Sequence, residues 1–319
     1  MNTPVIAVLT AEDEELLPGL ETLDAQCTLL HVRDDTGLTE ALTRADILVV
    51  TDFRTGMLER CWPAQTPLRW IHATSAGVDA VMIEPVRRSD IVVTNARGLF
   101  DRGIAEYVLG AVLLFAKDTL GNLRHQRARR WQHRDTALIR NAQALIVGAG
   151  SIGSEVARLL QGVGMQTSGI ASRAREDAVF GQLHDNSALP ELLAEADYVV
   201  ITAPLTEATR NLFDEAMFRH CKQGAVLINV GRGPIVNTDA LMAALDQGLL
   251  AGAALDVFEQ EPLPESHPLW ACPNVMISAH MAGDFIGWRA ALAEQFIDNL
   301  ARWQRGEALL NQVKSRNTI

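Results

Sequence analysis

Short apolar runs rich in β-branched residues alternate with segments of helical period along most of the chain. In the first third the runs at residues 5–10, 28–31, 47–51, 70–73 and 91–94 predict strands, and the patterns at 11–20 and 38–44 predict helices, which together describe an α/β unit with parallel strands. Residues 104–117 are apolar on nearly every side, as expected of a helix buried between domains or subunits. The alternation restarts at residue 144, with strands predicted at 144–147, 166–171, 198–202, 225–230, 251–256 and 275–278, the pattern of a doubly wound sheet. Near the end, Leu292, Phe296, Leu300 and Trp303 share one helical face within 289–305. That helix is expected to pack back on the first domain. The fold class is therefore α/β, with two Rossmann-like domains built on doubly wound parallel sheets: a discontinuous domain of residues 1–98 plus 289–319, and a second of residues 99–288.

A length of 319 residues suits two domains, each large enough for its own core. The formal net charge of -11 argues against broad attraction to nucleic acid or anionic membrane, so an anionic ligand needs dedicated arginines. The basic stretch "RHQRARRWQHR" at 124–134 lacks an aromatic stacking pattern and reads as a solvated helix or a subunit contact. Cys27, Cys61, Cys221 and Cys272 lie far apart with no CxxC pair, which suggests neither a zinc site nor a disulfide framework. Free thiols, the absence of a basic leader before an apolar core, and no apolar run of about 18 to 20 residues together suit a cytoplasmic protein without membrane association. The histidines show no HExxH or comparable spacing, so no metal is expected.

Candidate chemistry begins after the strand at 144–147, which runs into Gly148-Ala149-Gly150-Ser151-Ile152-Gly153 and then a helix. In this context GxGxxG is a dinucleotide-binding turn. Gly148 permits the tight turn, Gly150 admits a pyrophosphate to the backbone, and Gly153 lets helix and strand pack closely; the helix start, with Ser151 and Ile152, supplies amide donors. An NAD enzyme usually carries an acid at the end of the next strand, for the ribose 2′-hydroxyl. Here the chain reads Ala171-Ser172-Arg173-Ala174-Arg175. A hydroxyl and a guanidinium suit a 2′-phosphate, so NADP(H) is favoured over NAD(H).

Arg232, Glu261 and His280 each follow a predicted strand, on the edge where open α/β sheets bind ligands. Reducing a 2-oxo acid needs a cation for the carboxylate, a proton donor for the carbonyl oxygen, and a group that keeps the donor charged. Arginine, histidine and glutamate match those roles in that order.

The segments "VGAGSIG", "ADYVVITAPLTEATRNLF", "LINVGRGPIVNTDAL", "AALDVFEQEPLPESHPLW" and "NVMISAH", with "SAGVD" at 75–79 and "GIAEYVLGAVL" from Gly103, resemble the ordered motifs of the D-isomer-specific 2-hydroxyacid dehydrogenase family. The resemblance covers most of the chain. It implies that residues 99–288 bind the dinucleotide, with Pro204 and Asp256 added to the cofactor set and Asp256 near the nicotinamide carboxamide. It implies that the backbone of Ser75, Ala76, Gly77 and Val78 in the other domain cradles the substrate carboxylate. It also implies catalysis by Arg232 as anchor, His280 as acid/base and Glu261 as its partner. The expected activity is reduction of a small 2-oxo acid such as glyoxylate or hydroxypyruvate to the D-2-hydroxy acid, by a homodimer. In similar enzymes the basic stretch belongs to a dimer arm, which would place Trp131 toward the partner.

Two stretches depart from the family pattern. "IRNAQALIV" lacks a glycine often found there, which is expected to alter only a turn. "MAGDFIGWR" after His280 replaces smaller residues, so Trp288 either shapes the pocket or packs in the core. His72, just before the carboxylate loop, has a direct substrate role as its less favoured reading. Two rival functions stand beside the main one: a dinucleotide-sensing, corepressor-like binding protein of the same fold, and a formate- or phosphite-type dehydrogenase.

Overall fold

A computed structural model describes residues 3–12, 14–23, 27–51 and 56–313. The chain divides into two compact units, Met1–Leu99 with Phe285–Ile319, and Phe100–Asp284. In the first unit, β1 (Val5–Leu9), β2 (Thr28–Val32), β3 (Ile47–Val50), β4 (Trp70–Ala73) and β5 (Val92–Asn95) form a five-stranded sheet in the order β2-β1-β3-β4-β5. Every neighbouring pair is parallel. β1, β3 and β4 are nearly continuous buried apolar runs, as a sheet covered on both faces requires. The closing helix Trp288–Gln304 buries Leu292, Phe296 and Leu300 in this unit, and Phe296 stacks on Trp70 at 5.2 Å between ring centroids.

The second unit carries eight strands: β6 (Gln143–Val147), β7 (Gln166–Ile170), β8 (Arg175–Asp177), β9 (Gly181–His184), β10 (Tyr198–Ile201), β11 (Ala225–Asn229), β12 (Leu250–Leu255) and β13 (Val275–Ile277). Their order is β13-β12-β11-β10-β6-β7-β9-β8. The order reverses between β6 and β10, the switch point at which doubly wound sheets open a ligand crevice. The helix Asp101–Ala116 packs on this sheet with Phe115 so close to Gly252 that a Cβ there would lie 2.4 Å from the ring.

Two expectations are corrected. The helix expected over residues 11–20 is absent from the described residues of that stretch, which hold only a 3-10 turn at Leu20–Leu23; Asp13 lies outside the described residues. Pro18 and Gly19, whose φ is +102°, break the helical path. The sheet is also not wholly parallel, because β8 returns antiparallel on β9. The Arg175-Glu176-Asp177 triplet has no β-branched residue to announce a strand, and the turn is closed instead by Asp177, which accepts from the Val179 and Phe180 amides. Within the stretch that lacks the family's glycine, Asn141 adopts a left-handed conformation at φ +67°, which asparagine tolerates. Among the described residues no cysteine forms a disulfide, and no helix is long and apolar enough to cross a membrane.

Candidate active site

The glycine turn is shaped by close approach on one side and openness on the other. A Cβ at Gly148, where φ is +114°, would lie 2.4 Å from the Ala203 amide nitrogen, and one at Gly153 would lie 2.2 Å from the Gly148 carbonyl oxygen. The Thr202 hydroxyl donates to that same carbonyl at 2.7 Å, tying the turn to the end of β10. At Gly150 a Cβ would meet nothing within 4 Å. Gly150 also begins the helix Ser151–Gly162 without a side-chain cap, so the amides of its first turn, at Ser151, Ile152 and Gly153, face outward at a positive dipole end. A glycine cradle that is tight within and open without fits the pyrophosphate of a dinucleotide. Ser172 and Arg173 follow β7 and are exposed, and Pro204 follows β10 and is exposed. Asp177, the nearest aspartate after β7, is committed to its turn; its two backbone hydrogen bonds hold the carboxyl below the usual range.

Arg232, Glu261 and His280 come from the carboxyl ends of three adjacent strands, β11, β12 and β13. Asn229, 1% exposed, accepts from the Gly231 amide and donates to the Arg232 carbonyl, setting the loop that carries the guanidinium. Arg232 itself reaches the Gly231 carbonyl at 2.8 Å. A Cβ on Gly233 would lie 1.9 Å from the Phe258 carbonyl carbon, so the Arg232 loop presses directly on the one that ends in Glu261.

Glu261 accepts from the Phe258 amide at 2.9 Å through Oε1 and meets His280 Nδ1 at 2.7 Å through Oε2. Both side chains remain partly accessible, 26% for His280 and 22% for Glu261. Burial pushes the Glu261 carboxyl up, but the hydrogen bonds from His280 and Phe258, with the charges of His280 and Arg232, bring it below its ordinary value. The pair leaves the other ring nitrogen, Nε2, as the group for proton exchange, an arrangement suited to general acid/base chemistry.

His280 sits at φ +52°, an uncommon conformation for a residue with a large side chain. Asp256 holds it there. Its backbone oxygen accepts from the His280 amide at 2.8 Å, and its carboxylate accepts from the Ser278 hydroxyl and from the Met281 and Ala282 amides. Asp256 is 2% exposed, and both carboxylate oxygens are engaged by the loop that bears His280.

The Ser75–Val78 loop belongs to the first unit. The carbonyls of Ser75, Ala76 and Gly77 accept from the Ala96 amide, Asn95 Nδ2 and the Ser75 hydroxyl, respectively. In a planar trans peptide the following N–H points the opposite way, so the amides of Ala76, Gly77 and Val78 turn away from those partners, as a carboxylate cradle requires. His72 is not part of this surface. It is fully buried against Phe296, with Nδ1 2.8 Å from the Thr94 hydroxyl and Nε2 without a partner, and burial lowers its pKa to about 4. Trp288 is half-buried at the start of the last helix with the Arg289 guanidinium 5.8 Å from its ring. The basic stretch divides between the helix Thr119–Arg127 and an exposed segment in which Trp131 is fully exposed.

A doubly wound sheet with an open glycine turn and a histidine–carboxylate pair beside an arginine defines a dinucleotide-dependent oxidoreductase. The family model for the D-isomer specific 2-hydroxyacid dehydrogenase NAD-binding domain matches residues 109–282. A glyoxylate reductase of Korarchaeum cryptofilum is 34% identical over 256 residues, 78% of this chain and 77% of that protein. Among solved structures, a D-isomer specific 2-hydroxyacid dehydrogenase from Xanthobacter autotrophicus Py2, in complex with NADPH and MES, is 30% identical with a TM-score of 0.80, covering 98% of this chain and 99% of that one. An NADPH-dependent glyoxylate/hydroxypyruvate reductase from Sinorhizobium meliloti, in complex with NADP and sulfate, is 26% identical with a TM-score of 0.85 and the same coverage. The chain belongs to the D-isomer specific 2-hydroxyacid dehydrogenase family. It is an oxidoreductase with a nicotinamide-dinucleotide-binding domain.

Sequence reasoning missed two hydroxyls near this site. The Tyr107 hydroxyl lies 2.7 Å from the Ser278 hydroxyl, which in turn contacts Asp256. The available signal was a tyrosine, one of only two in the chain, within a largely apolar helical stretch.

Proposed function

We propose that the chain reduces glyoxylate to its achiral 2-hydroxy acid, or hydroxypyruvate to the D-2-hydroxy acid, with NADPH preferred over NADH. The observation that carries the reading is the 2.7 Å contact between His280 Nδ1 and Glu261 Oε2, beside the loop that presents Arg232. Arg232 pairs with the substrate carboxylate, and His280 Nε2–H gives its proton to the carbonyl oxygen. Glu261, whose carboxylate can only accept, accepts the Nδ1 hydrogen bond and holds the ring's orientation. A bound reduced nicotinamide supplies the hydride. The glycine turn, with the amides of Ser151 to Gly153, holds the pyrophosphate, Pro204 lines the cofactor groove, and Asp256 orders the loop behind the ring. We assign the Ser75–Val78 amides to the substrate carboxylate as well.

The preference for NADPH rests on the exposed Ser172 and Arg173 and on the commitment of Asp177 to its own turn. The small-substrate assignment draws on the glyoxylate and glyoxylate/hydroxypyruvate reductases among the relatives. A homodimer is supported by the exposed Leu123, Trp131 and Leu138 on and after the helix Thr119–Arg127. The test is turnover of 2-oxo acids of graded size with NADPH and with NADH, with chiral analysis of the product. Glyoxylate and hydroxypyruvate should lead the series, with NADPH giving the higher kcat/KM and hydroxypyruvate giving the D-product. Binding of dinucleotide without turnover would instead favour a sensing protein, and activity confined to formate or phosphite would favour that type of dehydrogenase.

A further inference from the structure

The loop bearing His280 is tied to one residue at four points. Asp256 receives the Ser278 hydroxyl at 2.5 Å, the His280 amide at 2.8 Å, and the Met281 and Ala282 amides at 2.9 Å each. Such a grip is what a left-handed, non-glycine residue requires, because that conformation persists only where its surroundings over-determine it. Three of the four ties are backbone amides with fixed direction. The fourth is a serine hydroxyl, which on its own has three staggered positions to choose among. Tyr107, from the helix Asp101–Ala116, makes that choice, with its hydroxyl 2.7 Å from Ser278 Oγ.

The direction of the chain follows from the chemistry. A carboxylate only accepts, so the Ser278 hydrogen points to Asp256, and Ser278 must then accept from Tyr107. The phenol keeps its proton to donate, since burial pushes its pKa up to about 12 against the lowering effect of the Ser278 hydrogen bond, with the nearby Asp256 charge adding to the rise. We infer that Tyr107 is a positioning residue for His280, acting through the Ser278 hydroxyl and the Asp256 carboxylate to hold the imidazole in line with Glu261. The inference rests on reading His280 as the acid/base.

The test compares Tyr107→Phe, Ser278→Ala, the double variant, Ser278→Thr and His280→Asn, by single-turnover reduction rate and by cofactor Kd. Tyr107→Phe keeps the ring and its packing while removing one hydrogen bond, so its rate should fall about three- to tenfold with cofactor Kd unchanged. The double variant should be no slower than Ser278→Ala alone, since both break the same chain. Ser278→Thr, which keeps the hydroxyl, should retain most of the rate. A wild-type rate in Tyr107→Phe, or a double variant showing the product of the two single losses, overturns the inference while an inactive His280→Asn leaves the acid/base reading standing. A wild-type rate in His280→Asn would overturn that reading and the positioning role together.

Discussion

Gly150 and Gly153 lie three residues apart in one turn, yet the same added methyl group should have opposite consequences at the two. At Gly153 the new Cβ would sit 2.2 Å from the Gly148 carbonyl oxygen, roughly 1 Å inside ordinary contact, and 3.0 Å from Thr202 Oγ1. The carbonyl is backbone and is fixed by the Thr202 hydrogen bond, so the helix Ser151–Gly162 has to shift. Overpacking of this kind costs about 1–3 kcal/mol. For a unit the size of Phe100–Asp284 that corresponds to a fall in Tm of roughly 2–12 °C at some 2–4 °C per kcal/mol. At Gly150 the Cβ would meet nothing within 4 Å, and φ -86° with ψ -161° is open to alanine. Removing glycine there reduces the freedom of the unfolded chain, so the cofactor-free Tm should hold or rise, by up to about 1 kcal/mol of stability. The methyl group instead occupies the space where a pyrophosphate approaches, and should weaken NADPH at least tenfold, about 1.4 kcal/mol. Thermal unfolding without cofactor and fluorescence titration with NADPH measure the two effects separately. Wild-type cofactor affinity in Gly150→Ala, or an undisturbed Tm in Gly153→Ala, would refute the geometric argument.

Arg232→Lys should lose about 10- to 100-fold in kcat/KM for the 2-oxo acid despite keeping its charge, because an ammonium cannot reproduce the guanidinium fork; near-normal turnover would remove Arg232 from the site. Arg173→Ala should weaken NADPH by about 1.5–3 kcal/mol and NADH far less, as measured by paired titrations, and equal losses would contradict the phosphate assignment. His72 governs an acid-side effect on stability. Its pKa falls to about 4 in the folded chain from an ordinary 6.5, so between those values the unfolded chain binds a proton that the folded chain does not. Stability is therefore full above about pH 6.5 and declines by on the order of 3 kcal/mol as pH falls to about 4. In His72→Phe, urea unfolding across that range should show a shallower decline, and an unchanged slope would show that His72 is not its source.

What could be read in the sequence depended on how locally each feature is encoded. The glycine turn is written within six consecutive residues, since a tight turn, an open approach and close helix packing each demand glycine at a set position. Arg232, Glu261 and His280 could be placed on one edge because β11, β12 and β13 are announced by their apolar runs. Their contact could not, because it depends on a strand order and on the pressing of Gly233 against Phe258, which only the folded chain displays. The ties of Asp256 and Tyr107 to Ser278 were hidden for the same reason: they span 22 and 171 residues of sequence, respectively. The misread helix over 11–20 shows the converse, an apolar and acidic pattern overruled locally by Pro18 and Gly19.

The pH dependence of reduction in Glu261→Gln tests most directly whether the Glu261 carboxylate supports proton delivery by His280. The Glu261 carboxylate lies 2.7 Å from His280 Nδ1, and a negative charge beside a base favours that base's protonated form. Arg232, Asp256 and Asp284 also face this pair and remain in place in the variant. Reduction consumes the proton on His280, so its rate falls as pH rises and the ring loses that proton. Without the carboxylate, the falling limb at saturating cofactor should move to lower pH, and the reverse oxidation, which needs the neutral ring, should persist to lower pH than in the unaltered enzyme. Superimposable falling limbs for the two proteins would contradict the account.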